Sequence, residues 1–221
     1  MITNLTHIDK TDTMYPCFAT LYDKKLIGDQ GCFFTHEYST VYGYVLEGTV
    51  TLPNEKIVSA GEYFSIWCWG SERVEYDGSL VVFNRIGFRG QNVIGGPLEE
   101  KGRLSYIDGC SDTMLVYPPR FGDPSLNQLF FPKHTSQTYH THPSIRLGVV
   151  VSGFGYACLK IGADEVRCSL EKGMIFCIEE QEMHRFETIG HELTVLAFHP
   201  DGEWGPTDGD HTMLNRTYLT K

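Results

Sequence analysis

The sequence predicts an all-β protein made of two copies of one unit. Three observations predict it. Glycine (23) and proline (10) are plentiful and punctuate short β-branched and aromatic runs, the signature of many strands and turns. One pattern of runs occurs twice, in the same order and at a nearly constant offset. No stretch reads as a helix longer than a turn or two, which counts against a helix-turn-helix regulator.

The repeat is carried by three segments. Val41–Gly48 (VYGYVLEG) aligns with Arg146–Gly153 (RLGVVVSG). Val58–Ile66 (VSAGEYFSI) aligns with Leu170–Ile178 (LEKGMIFCI), and Leu80–Phe83 aligns with Leu193–Leu196. The openings also match weakly, Asp12-Thr13-Met14 against Asp112-Thr113-Met114. In chain order, residues 1–30 are leading strands and loops, and 31–86 form the body of the first unit. A Gly-rich seam runs from Phe88 to Pro97. Residues 104–135 repeat the lead-in, with a turn-rich insert from Pro118 to Pro124. Residues 136–199 form the second body, where Gly155–Ile161 alternates before a Gly-Ala-Asp turn at 162–164. The run after Arg146 reads as a strand closed by Gly153. The tail from Pro200 is irregular, and Trp204, Met213, Leu214 and Tyr218 are its candidate anchors. The units divide at 1–100 and 101–221.

Hydrophobic residues make up 41% of the 221, enough for a buried core, and the formal net charge is −10. That charge argues against nucleic acid or an anionic membrane surface as a partner. No apolar run approaches the roughly 18 residues of a membrane span. The N-terminus lacks the basic start and apolar centre of a signal peptide. Seven cysteines, an odd number with no Cys-x-x-Cys pair, read as small buried hydrophobes in a reducing compartment. Together these imply a cytoplasmic protein.

The chemistry concentrates at Tyr139-His140-Thr141-His142-Pro143-Ser144-Ile145-Arg146. Side chains alternate along a strand, so His140 and His142 point to one side, and the same parity extends to Ser144, Arg146, Gly148 and Val150. Two adjacent imidazoles can grip one divalent ion. A third histidine, His184, follows the later strand and the polar turn Glu179–Glu182.

These residues resemble the cupin superfamily, whose members fold as small double-stranded β-helix (jelly-roll) barrels. The first cupin motif is His-x-His, three or four residues, Glu, six residues, Gly; here it is His140, His142, Arg146 and Gly153. The second is Gly, five residues, Pro-x-Gly, two residues, His, three residues, Asn; here it is Gly173, Glu179-Glu180-Gln181, His184 and Thr188. The resemblance implies a bicupin of two tandem barrels, with His140, His142 and His184 as metal ligands. Three positions depart: Arg146 replaces the ligand Glu, Glu179 the Pro and Gln181 the Gly. In the first copy the ligand positions hold Thr35, Glu37 and Glu72, and His36 is one residue out of phase, which turns it to the other face. The first barrel is therefore expected to be structural, or to hold a pocket without metal.

Three neutral imidazoles leave a divalent ion its full charge and open positions. Arg146, if inward, adds a fixed positive charge and predicts a bound anion between the two. The alternative is that Arg146 pairs with Glu179, Glu180 or Glu182 at the barrel mouth. Glu182 is a candidate fourth ligand or general base, and alternatively a solvated turn glutamate. His7, His134, His191, His199 and His211 read as surface or satisfied polar histidines. Cupins with three histidines and no glutamate include iron(II) dioxygenases acting on thiols, diketones and gentisate. The resemblance thus implies an iron(II) dioxygenase or related oxidoreductase for a small carboxylate-bearing or chelating substrate. Mn, Ni, Co and Zn remain open, as imidazole accepts them all. A metal-assisted isomerase or cyclase and a non-catalytic binding protein are the alternatives. Barrels of this kind bury a sheet face against a partner, so a homodimer is also expected.

Overall fold

The short β-branched runs become 17 strands in the computed structural model, which describes residues 2–27 and 31–202. The leading strands are β1 (Ile2–Leu5), β2 (His7–Lys10) and β3 (Cys17–Asp23), followed by the single-turn α1 (Lys24–Ile27). The first body holds β4 (Cys32–Phe34), β5 (Ser39–Thr51), β6 (Ile57–Ser59), β7 (Tyr63–Cys68), β8 (Arg73–Ile86) and β9 (Val93–Gly95). Then come β10 (Leu104–Ser105), β11 (Ser111–Val116), β12 (Ser125–Phe131), β13 (Arg146–Ile161), β14 (Asp164–Glu171), β15 (Ile175–Ile178), β16 (His184–Glu187) and β17 (Leu193–His199).

Two antiparallel sheets result. The first runs β2-β3-β8-β5-β7-β9, with β4 on β8 and β6 on β5. The second runs β1-β15-β13-β17-β12-β11-β10, with β14 and β16 on β13. One assignment from the sequence needs correction. Residues 2–5 were placed with the first unit, but β1 pairs with β15 and extends the second sheet. The pairing covers a strand edge that would otherwise present free backbone groups. Gly153 also does not close its strand. It sits at φ 80 beside a register shift between Val150 and Ser152, and β13 bends there and continues to Ile161.

The repeat read from the sequence is a repeat in three dimensions. A register shift between Val45 and Glu47 in β5 matches the one in β13. Gly61 donates to Val45 O at 2.9 Å, as Gly173 donates to Val150 O at 2.8 Å. Gly43 faces Phe64 across β5 and β7, as Gly148 faces Phe176 across β13 and β15. In each pair the phenylalanine ring lies on the bare Cα. A Cβ on Gly43 would meet a Phe64 ring carbon at 2.3 Å, and one on Gly148 would meet Phe176 at 2.2 Å.

Strand alternation sorts the side chains into three cores. Val41 and Val45 fill the first barrel with Phe64, Val58 and Val82. Val150 fills the second with Phe131, Phe176 and Phe186. The opposite faces meet between the barrels. Tyr42, Tyr44, Val81 and Phe83 of the first sheet pack on Leu147, Val149, Leu196 and Phe198 of the second. The rings of Phe83 and Phe198 are stacked at 5.4 Å. These two sheet faces thus cover each other within one chain. Lys10 of β2 ties the barrels at the rim through Glu179, 2.7 Å away. No helix among the described residues is long and apolar enough to cross a membrane. The proposed tail anchors, Trp204, Met213, Leu214 and Tyr218, lie outside the described residues, as does His211.

Candidate metal centre

His140 and His184 form an isolated antiparallel bridge, each backbone N–H donating to the other's carbonyl at 3.0 Å. His142 follows two residues later, its carbonyl held by the N–H of Gln181 at 2.9 Å. The His140–His184 bridge and the chain segment leading on to His142 bring the three rings together in the second barrel. Ring centroids lie 5.1 Å apart for His140 and His142, 4.4 Å for His140 and His184, and 5.1 Å for His142 and His184. One nitrogen from each ring falls within 4.8 Å of the others.

Two of the rings have their tautomer fixed by the backbone. His140 Nδ1 lies 2.9 Å from Thr138 O, and His184 Nδ1 lies 2.8 Å from Glu182 O. A carbonyl oxygen only accepts, so each Nδ1 carries the proton and each Nε2 offers a lone pair. Burial pushes His142 down to about 3, helped by the charge of Arg146, and burial pushes His184 down to about 4. Both rings are neutral at ordinary pH, the form that ligates metal. The donor set therefore fits a divalent transition ion.

His140 and His142 line a cavity of roughly 250 Å³ inside the second barrel. Met114, Leu129, Phe131, Phe176, Phe186 and Val195 make its apolar wall. Arg146 lies on the same wall, 3% exposed, with Nη1 donating to Ser144 O at 3.0 Å, Ser144 Oγ at 2.7 Å and Ile145 O at 3.0 Å. Arg146 lines the same cavity as His140 and His142, although β13 begins only at Arg146 and residues 141–145 are not strand. Glu179, one of its alternative partners, is bonded to Lys10.

Glu182 is not brought into the cluster. Its carboxylate accepts the Glu179 N–H at 3.0 Å and closes the turn. Its contact with the centre is through the backbone carbonyl that orients His184.

The first barrel repeats this backbone without the ligands. Thr35 N donates to Glu72 O at 2.9 Å, as His140 N does to His184 O. Thr35 Oγ1 then donates to Gly70 O at 3.1 Å and accepts from Glu72 N at 3.0 Å. His36 is exposed and turned to the Glu37 carbonyl, on the side its phase predicts. Among the described residues, His140, His142 and His184 are the one group that could hold a metal.

Three cavity residues escaped the sequence reading: Asp112, Asn127 and His199. His7, His134 and His191 are exposed, as expected, but His199 is 8% exposed and its Nδ1 meets no partner. Burial, then the charges of Arg146 and His142, hold it well below the usual imidazole range. Its signal was the parity of β17, where Val195, Ala197 and His199 all face inward. Asn127 Nδ2 donates to Asp112 Oδ2 at 2.8 Å, and burial raises the Asp112 carboxyl.

No protein-family model matches the sequence, and no curated protein does. Solved structures do match. A cupin 2 conserved barrel domain protein from Leptotrichia buccalis superposes with a TM-score of 0.57 at 17% identity, over 89% of this chain and 88% of that one. The chain has a double cupin fold. The protein Ylba from E. coli gives 0.56 at 18% identity, over 90% of this chain and 88% of that one. Bacillus subtilis oxalate decarboxylase, a protein with Mn(II) centres, gives 0.54 at 10% identity, over 93% of this chain and 79% of its own. The three-histidine cluster that could hold a metal lies in the second barrel of this chain.

Proposed function

We propose that this cupin is a metal-dependent oxidoreductase of the dioxygenase type. Its substrate would be a small organic acid that chelates the metal. The observation that carries the reading is the convergence of three histidine rings beside a cavity that a buried arginine also lines. His140, His142 and His184 would hold one divalent ion, Fe(II) first and Mn(II) next. When bound, that ion supplies open positions at which a chelating acid and dioxygen can meet.

The chain's own residues do the rest. No carboxylate sits among the ligands, so the site has a surplus of positive charge. Arg146 adds to it from a fixed position, because Nη1 is tied to Ser144 and Ile145. A dication and a guanidinium on one wall favour an anion with one oxygen toward each. The phenylalanines exclude water and strengthen that attraction. The carboxylate-binding name among the solved structures, oxalate decarboxylase, agrees with an acid as ligand.

The test is an oxygen electrode. Protein loaded anaerobically with Fe(II) is screened against small carboxylic acids and then exposed to air. Oxygen uptake with one acid, lost in His140→Ala, supports the reading. Turnover that proceeds equally under argon would replace it with an isomerase or cyclase.

A further inference from the structure

The cavity has a second polar place that the metal reading does not use. It lies on the wall made by β11, β12 and β17. Asn127 is 6% exposed, and its Nδ2 is spent on the Asp112 carboxylate. That bond fixes the amide, so Oδ1 is the end left over, and it meets no partner. His199, on the adjacent strand, has an unpartnered Nδ1 and is equally enclosed. The β12–β17 register sets Asn127 beside Ala197, one inward step from His199. Ala197 is the small residue of that row and leaves space in front of the amide.

Buried polar atoms are rarely left without partners, and here two fall on one wall of an apolar cavity. The wall is otherwise Leu129, Phe131 and Val195, so the open amide oxygen, with His199 on the adjacent strand, faces largely apolar surroundings. An isolated carbonyl acceptor there selects for a ligand O–H or N–H, and leaves an unmatched group facing any ligand that lacks one.

We propose that Asn127, held by Asp112 and flanked by His199, recognises a hydrogen-bond donor on the apolar frame of the substrate. This rests on the reading above, in which Arg146 and the metal take the acid end. It narrows the substrate class to a compact carboxylic acid with a hydroxyl or neutral amino group set away from the carboxylate.

The probes are cyclohexanecarboxylate and its 2-, 3- and 4-hydroxy derivatives, titrated by calorimetry into the Zn(II)-loaded protein, where no turnover occurs. At least one hydroxy acid is expected to bind about tenfold tighter than the parent, equivalent to about 1.4 kcal/mol. Asn127→Leu should bring that ratio to about one. Because this variant strands the Asp112 carboxylate, the double variant Asp112→Val, Asn127→Leu is measured with it. Removing both partners leaves no orphan, so it keeps the barrel intact. The proposal is overturned if no hydroxy acid outbinds the parent, or if discrimination survives in both variants. If Zn(II) is held but neither the parent nor any hydroxy acid binds, the acid-binding reading fails as well. If the parent binds without discrimination, only the second recognition point fails.

Discussion

Adding one methyl group at Gly148 separates the two barrels functionally. The tip of the Phe176 ring lies against this residue, and a new Cβ would sit 2.2, 2.5 and 2.7 Å from three of its ring carbons. Carbon atoms pack at about 3.5–4.0 Å, so the ring or the strand must move by more than about 1 Å. Phe176 is 1% exposed and touches Phe186, 5.9 Å away between ring centroids, so the movement propagates. Overpacking of this kind costs about 1–3 kcal/mol. The backbone at Gly148 is compatible with alanine, so reduced unfolded-state entropy returns about 0.4–1 kcal/mol. A net loss of about 1.3 kcal/mol lowers Tm by roughly 3–5 °C in a chain of this size. Gly43→Ala meets the same clash with Phe64 and should lose a similar amount. The difference lies in function. Phe176 lines the cavity, so Gly148→Ala should weaken acid binding as well as stability, whereas Gly43→Ala should leave metal content and acid affinity within about twofold. Calorimetry of both variants, with Phe176→Leu and Phe64→Leu as relief mutations in each background, checks the sizes and their origin. Two alanine variants that both melt within 1 °C of the parent would refute the packing argument. Equal loss of acid binding in both would refute the placement of the acid site in the second barrel.

Other outcomes follow from the site. Arg146→Leu should keep one metal ion but bind small carboxylates roughly 10–100-fold more weakly, the size of a lost charge-assisted hydrogen bond; unchanged affinity in calorimetry would reject the clamp. Glu182→Gln should retain metal, since its role is a turn bond and a backbone carbonyl; loss of the ion from this variant would restore it as a ligand. Stability of the metal-free protein should fall with acid. His142 and His184 stay neutral in the fold down to about 3 and about 4, while in the unfolded chain such rings take up protons from about 6.5. The unfolded state therefore binds more protons as pH drops below about 6.5. Each ring removes about 1.4 kcal/mol per pH unit until its folded value is reached. Urea midpoints at pH 7, 6 and 5 should show the slope, and His142→Gln with His184→Gln should flatten it. A parent midpoint that is constant over this range would contradict the burial of neutral rings.

Much of the fold was legible because the chain states it twice. Gly43 and Gly148, Phe64 and Phe176, and Gly61 and Gly173 fall at matching places in the aligned segments, and each pair has one physical job. The three histidines were legible because two sit one residue apart just before a β-branched run and the third follows a strand and turn at a recognisable spacing. What the sequence hid was long-range pairing. Nothing local tells that β1 crosses to β15, because strand pairing depends on which edge is open in the finished sheet. Asp112 and Asn127 were missed for a similar reason. Each is an ordinary polar residue in its own segment, and only the β11–β12 pairing turns them into a hydrogen-bonded pair inside a cavity. His199 could have been found, since it shares parity with Val195 and Ala197. It was passed over because a histidine at the end of a strand is usually solvated.

Metal content tests the central claim most directly. Elemental analysis of the protein purified without added metal should find about one divalent transition ion per chain. The count should fall to background when His140→Ala is combined with His184→Ala. Two ions per chain, or one ion retained by the double variant, would contradict a single centre built from the three imidazoles of the second barrel.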